Sequence, residues 1–157
     1  MTKKDIYKQL INDLPHIIDG KNHYLTSLAN LSAELKLRFS SFSWAGFYLY
    51  DGDKLFLGPF QGKPACEIIT LDRGVCGKSA REQITIVVPD VHKFPGHIAC
   101  DGGSNSEIVL PLVKQGRLLG VLDIDSYEHA NFDDVDKVLL ERVVRYFIEV
   151  VTFPDFF

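Results

Sequence analysis

The stretch SEIVLPLVKQGRLLGVLDIDS, residues 106–126, constrains the fold of this chain more than any other. Two apolar runs flank Lys114-Gln115-Gly116, and a short glycine-containing turn between two such runs specifies a β-hairpin. A second hairpin is encoded in SWAGFYLYDGDKLFLGPF, where aromatic and aliphatic residues lead to Tyr50, a DGD turn follows at 51–53, and KLFLGPF returns. CEIITL reads as a short strand, GVCGKSAREQ as a short helix opened by glycine, and ITIVVPD as a strand closed by Pro89. The ends of the chain carry helical periodicity instead. KKDIYKQLINDL places Ile6, Leu10, Ile11 and Leu14 on one face, with Pro15 predicted to break or redirect the helix. NHYLTSLANLSAELKLRF repeats the pattern with Leu25, Leu28, Leu31, Leu35 and Phe39. FDDVDKVLLERVVRYFIEVV has an acidic first turn and predicts Val135, Val138, Leu139, Val143, Phe147 and Val150 along its inner side. The resulting order, α-α-β-β-β-α-β-loop-β-β-α, predicts an α+β fold in which an antiparallel sheet carries the terminal helices packed together on one face. No linker or repeat divides the chain, so a single domain over residues 1–157 is expected.

The bulk composition excludes several classes of function. With 46% hydrophobic and 24% charged residues, the chain has the balance of a folded domain. Its net charge of −4, without a Lys/Arg cluster, argues against a nucleic-acid partner. The start, MTKKDIYKQLINDLP, has no apolar run suited to a signal peptide, and no stretch approaches the ~18 apolar residues of a membrane span. A cytoplasmic protein without a membrane partner is expected. The three cysteines, Cys66, Cys76 and Cys100, are an odd number with no CxxC spacing, which disfavours both a disulfide framework and a zinc site.

The candidate chemistry gathers around the long irregular connection at 89–106. Cys100 precedes Asp101-Gly102-Gly103, where glycines allow backbone N–H groups to turn inward as an anion-binding nest. A thiol so placed, with His97 three residues before it and His92 further upstream, is a candidate nucleophile, because donors and histidines favour the thiolate. Cys66 and glycine-flanked Cys76 are candidate partners for a sulfenic acid formed on it. The second constellation is acidic. Asp123 and Asp125 alternate and so project from one face of their strand, and Glu107 falls almost opposite them across the hairpin. Crowded acids raise one another's pKa and can donate a proton near neutrality; they also suit an ammonium group or a hard cation. Trp44, the one tryptophan, is either core or an aromatic wall for a sulfur-containing or cationic substrate.

Taken together, GPFQGKPAC, GVCGKSA, DVHKFPGHIACD, SEIVLPL and GVLDIDS, in this order, resemble the free methionine-(R)-sulfoxide reductases, small single-domain GAF proteins. The likeness runs from about Trp44 to about Phe132 and departs from the family pattern at Asp72-Arg73, where a Gly-Lys pair is usual. It implies a GAF-like fold with a central antiparallel six-stranded sheet and the N- and C-terminal helices on one face. It implies Cys100 as the catalytic cysteine, Cys66 as a resolving cysteine, and Cys76 as a third thiol that resolves or shuttles the disulfide. Glu107, Asp123 and Asp125 would bind and polarise the substrate beside Trp44. A cytoplasmic homodimer recycled by thioredoxin, with no cofactor and no metal, is the expectation that follows. The mechanism implied is attack by the Cys100 thiolate on the sulfoxide, protonation of the departing oxygen by an acid, and capture of the sulfenic acid by Cys66 or, failing it, Cys76. Two rivals remain open from sequence: a non-catalytic GAF module sensing a small ligand, and a metal site built from Cys76, Cys100, His92 and His97.

Overall fold

The computed structural model of the chain describes residues 1–98, 100 and 102–155. Helices α1 (Lys3–Ile17) and α2 (Tyr24–Arg38) come first, followed by strands β1 (Trp44–Tyr50), β2 (Lys54–Gln61) and β3 (Ile68–Thr70). Helix α3 (Gly74–Glu82), strand β4 (Ile86–Val88), strands β5 (Ser106–Lys114) and β6 (Arg117–Ser126), and helix α4 (Asp134–Val150) complete the order read from the sequence. The one addition is a 3-10 turn, Val91–Lys93, inside the long connection. The strands form one sheet in the order β3-β2-β1-β6-β5-β4, antiparallel at every described pairing. The GAF-like α+β fold is as expected.

The period of two along each central strand divides the core into two layers. Ala45, Phe47 and Leu49 of β1, Ile108, Leu110 and Leu112 of β5, and Leu122 and Ile124 of β6 pack against α1, α2 and α4. The intervening residues, Trp44, Tyr48, Val109 and Val121 among them, form a second cluster with Val75, Cys76 and Ala80 of α3. The sheet is therefore covered on both faces, by the terminal helices on one and by α3 on the other. The β5–β6 turn is tighter than the three residues expected. Lys114 pairs with Arg117, leaving Gln115 and Gly116 as a two-residue loop with φ of 52° and 77°. Positive φ at both positions is the type I′ geometry, whose twist matches that of paired strands.

The helices depart from the sequence reading in three places. Pro15 does not break α1; it sits in the last turn, and the helix runs on to Ile17 before the Ile18 N–H closes on the Leu14 carbonyl. A proline so close to the end has little helix left to disrupt. Leu25 faces solvent at 43% exposure, being at the first turn of α2, short of the sheet. In α4 the inner stripe is Asp136, Leu140, Val143, Val144, Phe147 and Ile148, while Val135 and Val138 point outward. An acid thus starts the buried stripe where valines were expected.

Asp136 explains that shift. It is fully buried; its Oδ1 accepts from the Tyr7 hydroxyl at 2.6 Å, and its Oδ2 from Lys3 Nζ at 2.6 Å and the Asp133 N–H at 2.9 Å. Asp133 in turn accepts from the Val135 and Asp136 N–H groups, a capping box at a helix end whose dipole favours acids. One carboxylate therefore caps α4 and ties α1 to it. Burial, with Asp136 beside it, pushes the Tyr7 hydroxyl far up, so it remains a donor. Asp136→Ala should lower the unfolding free energy in urea by about 2–4 kcal/mol, because it strands the Tyr7 hydroxyl and the Lys3 ammonium together. Tyr7→Phe should lose only about 1 kcal/mol in the same measurement.

Candidate active site

The strand register brings the sequence-predicted acids together. Glu107 pairs directly with Asp125 across β5–β6, and Asp125 pairs with Trp44 across β6–β1. Trp44, Asp125 and Glu107 therefore form a row on the face away from the terminal helices. Asp123 lies one step along the same face, between Val109 and Gly46. Helix α3 and the 89–105 connection cover this row. They close a cavity of about 40 Å³ lined by Trp44, Tyr48, Cys76, His97, Cys100, Ser104, Glu107, Asp123 and Asp125, together with apolar neighbours.

The thiols are positioned by the cover. Cys66 and Cys100 are joined as a disulfide with Cα atoms 5.2 Å apart across 34 residues of sequence, and Cys76 is the free, buried thiol. The segment carrying Cys66 is pinned to β1 twice. The Tyr48 hydroxyl donates to the Cys66 carbonyl at 3.0 Å, and Trp44 Nε1 donates to the Lys63 carbonyl at 2.9 Å. The Trp44 ring is 1% exposed, with Phe60 stacked at 5.2 Å and Tyr48 at 6.1 Å. Gly46 makes that stack possible, since a Cβ there would come within 2.3 Å of Phe60 and 2.8 Å of the tryptophan ring. Trp44 is thus both core and cavity wall.

The segment carrying Cys100 is tied down at both ends. The Val91 N–H donates to the Asn105 carbonyl, and the Asn105 N–H to the Ser126 carbonyl. The Asn105 side chain adds a bond to the Tyr127 carbonyl, while His92 Nε2 contacts its Oδ1 at 3.2 Å. Nearer Cys100, the Gly74 N–H at the start of α3 donates to the Gly96 carbonyl. His92 is accordingly a loop-packing residue, whereas His97 reaches the cavity. Of the turn expected to offer backbone donors, Asp101 lies outside the described residues and the Asn105 N–H is already engaged. The quartet Cys76, Cys100, His92 and His97 does not assemble as a metal site, because Cys100 is bonded to Cys66 and His92 is turned to Asn105. Asp72 and Arg73 sit exposed in the turn before α3, outside the cavity lining.

Burial dominates the electrostatics. Glu107 and Asp123 are 7% and 6% exposed. Desolvation pushes the Glu107 carboxyl well above its ordinary range, and the neighbouring Asp123 and Asp125 push it further. Desolvation also raises Asp123, with hydrogen bonds from Glu107 and Cys76 working the other way. Cys76 stands in the first turn of α3, where the helix dipole favours a thiolate. Burial and the three acids win, and its thiol is pushed well up. His97 is lowered by its own burial and by His92, so it enters the site neutral.

Two functional candidates escaped the sequence reading. Tyr48 shares the strand parity of Trp44, which was a usable signal. Ser104 is 6% exposed with no hydrogen-bond partner for its Oγ among the described residues, and nothing in an irregular loop marks it in advance.

A GAF domain model matches residues 25–147. The chain is 46% identical over 156 residues to the Escherichia coli free methionine-R-sulfoxide reductase, covering 99% of this chain and 94% of that protein. It is 42% identical over 153 residues to the Saccharomyces cerevisiae free methionine-R-sulfoxide reductase, covering 92% and 85%. Among solved structures, the Neisseria meningitidis free methionine-R-sulfoxide reductase in complex with its substrate superposes with a TM-score of 0.91. It is 40% identical, with 95% of this chain and 90% of that chain covered.

The buried acids set a direction for stability against pH. A carboxyl raised in the folded state holds its proton longer there than in the unfolded chain. Its contribution is complete below about 4 and is lost as pH rises through the folded value. Glu107→Gln removes that loss. In thermal unfolding it should gain on the wild type as pH is taken from 5 to 9, by about 2–4 °C in Tm for each 1 kcal/mol of relieved charging.

Proposed function

The chain belongs to the GAF domain family and, within it, to the free methionine-R-sulfoxide reductases, and from that premise we propose how its residues carry out the reduction. The enzyme is an oxidoreductase whose substrate is free methionine-R-sulfoxide. The observation that carries the mechanism is that Cys100, which lines the acid cavity, is bonded to Cys66 rather than to Cys76.

The Cys100 thiolate attacks the sulfoxide sulfur. A sulfur–sulfur bond forms, the substrate's sulfur–oxygen bond breaks as the oxygen takes a proton and leaves as hydroxide, and attack of that hydroxide on the Cys100 sulfur breaks the sulfur–sulfur bond and releases methionine. In balance, thiolate, proton and sulfoxide become a Cys100 sulfenic acid and methionine. Without that proton the oxygen is a poor leaving group, and general acid help is typically worth ~10²–10⁴-fold. Glu107, held protonated by burial and by its acidic neighbours, is the group suited to supply it, with Asp123 sharing the proton. The Cys66 thiol then condenses with the sulfenic acid, releasing water and forming the disulfide. Cys76 is the weaker partner because its thiol is held protonated in the cavity floor. Thioredoxin, with a potential near −270 mV, returns both thiols by disulfide exchange.

Selection of the free amino acid follows from the same cavity. The ammonium group pairs with Asp123 and Asp125, the thioether end packs against Trp44, and the carboxylate meets the Gly102–Gly103 turn. A methionine inside a peptide offers neither charge. In this reading the protein acts as a cytoplasmic homodimer in defence against oxidative stress, with neither nucleic acid nor membrane as a partner. None of its helices, among the described residues, is long and apolar enough to cross a membrane.

NADPH oxidation coupled through thioredoxin reductase and thioredoxin should report turnover with free methionine-R-sulfoxide and none with the S epimer or a peptide sulfoxide; equal rates on the peptide would sink the pocket assignment. Cys100→Ser should abolish reduction even with dithiothreitol. Cys66→Ser should perform one reduction per active site and then stop with thioredoxin; that behaviour in Cys76→Ser would transfer the resolving role to Cys76. Tyr48→Phe, which removes the donor to the Cys66 carbonyl, should slow disulfide formation about fivefold, the equivalent of one hydrogen bond. Rapid-quench thiol trapping would read that step separately from methionine release.

A further inference from the structure

We propose that the oxidised form of this enzyme binds a thiophilic divalent cation, Zn²⁺ foremost, through Cys76 Sγ and one carboxylate oxygen each of Glu107 and Asp123. These three ligand atoms lie within 4.8 Å of one another, and all three residues are buried. Ligands from β5, β6 and α3 converge on that point, so the set is held by the packed sheet rather than by a mobile loop. Cys76 is the thiol that the Cys66–Cys100 disulfide leaves over.

Two unsatisfied polar atoms point to a missing occupant. Asp123 Oδ1 has no hydrogen-bond partner among the described residues, in a side chain 6% exposed. Ser104 Oγ, on the opposite cover and outside the ligand set, is likewise buried and without a partner, and it lines the same cavity. Buried polar groups are nearly always satisfied, by protein, water or an ion. The cavity of about 40 Å³ exceeds the ~10–15 Å³ needed to hold one water, so an ion with its remaining water can enter.

The donor set selects the metal. Once metal binding has displaced the protons of Cys76 and Glu107, a thiolate with two carboxylates and an open fourth position suits tetrahedral Zn²⁺, with bonds of about 2.0–2.3 Å. Ca²⁺ needs about 6–8 oxygen ligands, and Mg²⁺ keeps several waters in an octahedron, so neither fits a small site holding sulfur. The cation and the substrate ammonium of the proposed reading both require the Asp123 carboxylate. Metal and substrate therefore exclude one another, and zinc bound after oxidation holds the enzyme out of its cycle until it is removed.

The test uses the full chain, oxidised and freed of metal by chelator, so that Cys76 is the remaining thiol. Titration with Co²⁺ should give one equivalent bound and a near-ultraviolet thiolate-to-cobalt band, which Zn²⁺ displaces and Mg²⁺ does not. Cys76→Ser, verified as folded by circular dichroism, should lose the band. Asp123→Asn, read by Zn²⁺ calorimetry, should weaken binding about tenfold or more, and keeps the proposal decidable if the serine variant unfolds. No binding by the wild type, or a band that survives in Cys76→Ser, overturns the site. The exclusion of substrate rests on the proposed function and has its own arm. Methionine sulfoxide should raise the apparent Kd for Zn²⁺ in proportion to its concentration. A Kd unchanged by sulfoxide overturns that arm while the cobalt band stands.

Discussion

Everything at the site depends on a register that the site itself opposes. Glu107 faces Asp125 across β5–β6 with Asp123 beside them, and like charges paired across a sheet are destabilising. What holds them is the other side of the same strands. Ile108, Leu110, Leu122 and Ile124 pack beneath the terminal helices, and a slip of either strand by one residue would turn its two aliphatics away from them and bring its acid onto the apolar face. Each buried aliphatic side chain is worth about 1.5–3 kcal/mol, so together they outweigh the repulsion of a few partly protonated acids. The helix face fixes the geometry, and the opposite face uses it.

The cover turns this acidic row into a reactive cavity. An antiparallel sheet with one wet face would leave the acids hydrated and ordinary. Here α3 and the long connection remove the water, so desolvation is the main cause that raises Glu107, Asp123 and Cys76. Acids stand on strands, where positions are rigid. The disulfide-bonded cysteines stand on loops, anchored by Tyr48 and Trp44 on one side and by Asn105 on the other. In the proposed mechanism, that division lets Cys66 and Cys100 meet and part while the acid floor stays still.

Much of this was legible in the chain, unevenly. The hairpin at 106–126 placed Glu107 opposite the aspartate pair because turn position and strand parity are local properties. The α4 stripe was misread because periodicity counts apolar residues, and a buried acid with three partners, as Asp136 is, does not look apolar. Pro15 was read as a break or redirection of α1 although its effect depends on how much helix follows. Ser104 could not be found at all, since the direction of a loop side chain is decided by what the loop is tied to.

The sequence by itself determined the element order, the parity that sets Trp44, Asp123 and Asp125 on one face, and a motif set specific enough to name the chemistry. Those follow from covalent geometry and from residue type, which act over a few positions. Only the tertiary structure decided which thiol meets Cys100, that Cys76 instead joins the acids, and that a neutral His97 enters the cavity while His92 does not. Distance and solvent exclusion settle such questions. Both belong to the packing of α3 and the long connection over the sheet, not to any stretch of the chain taken alone.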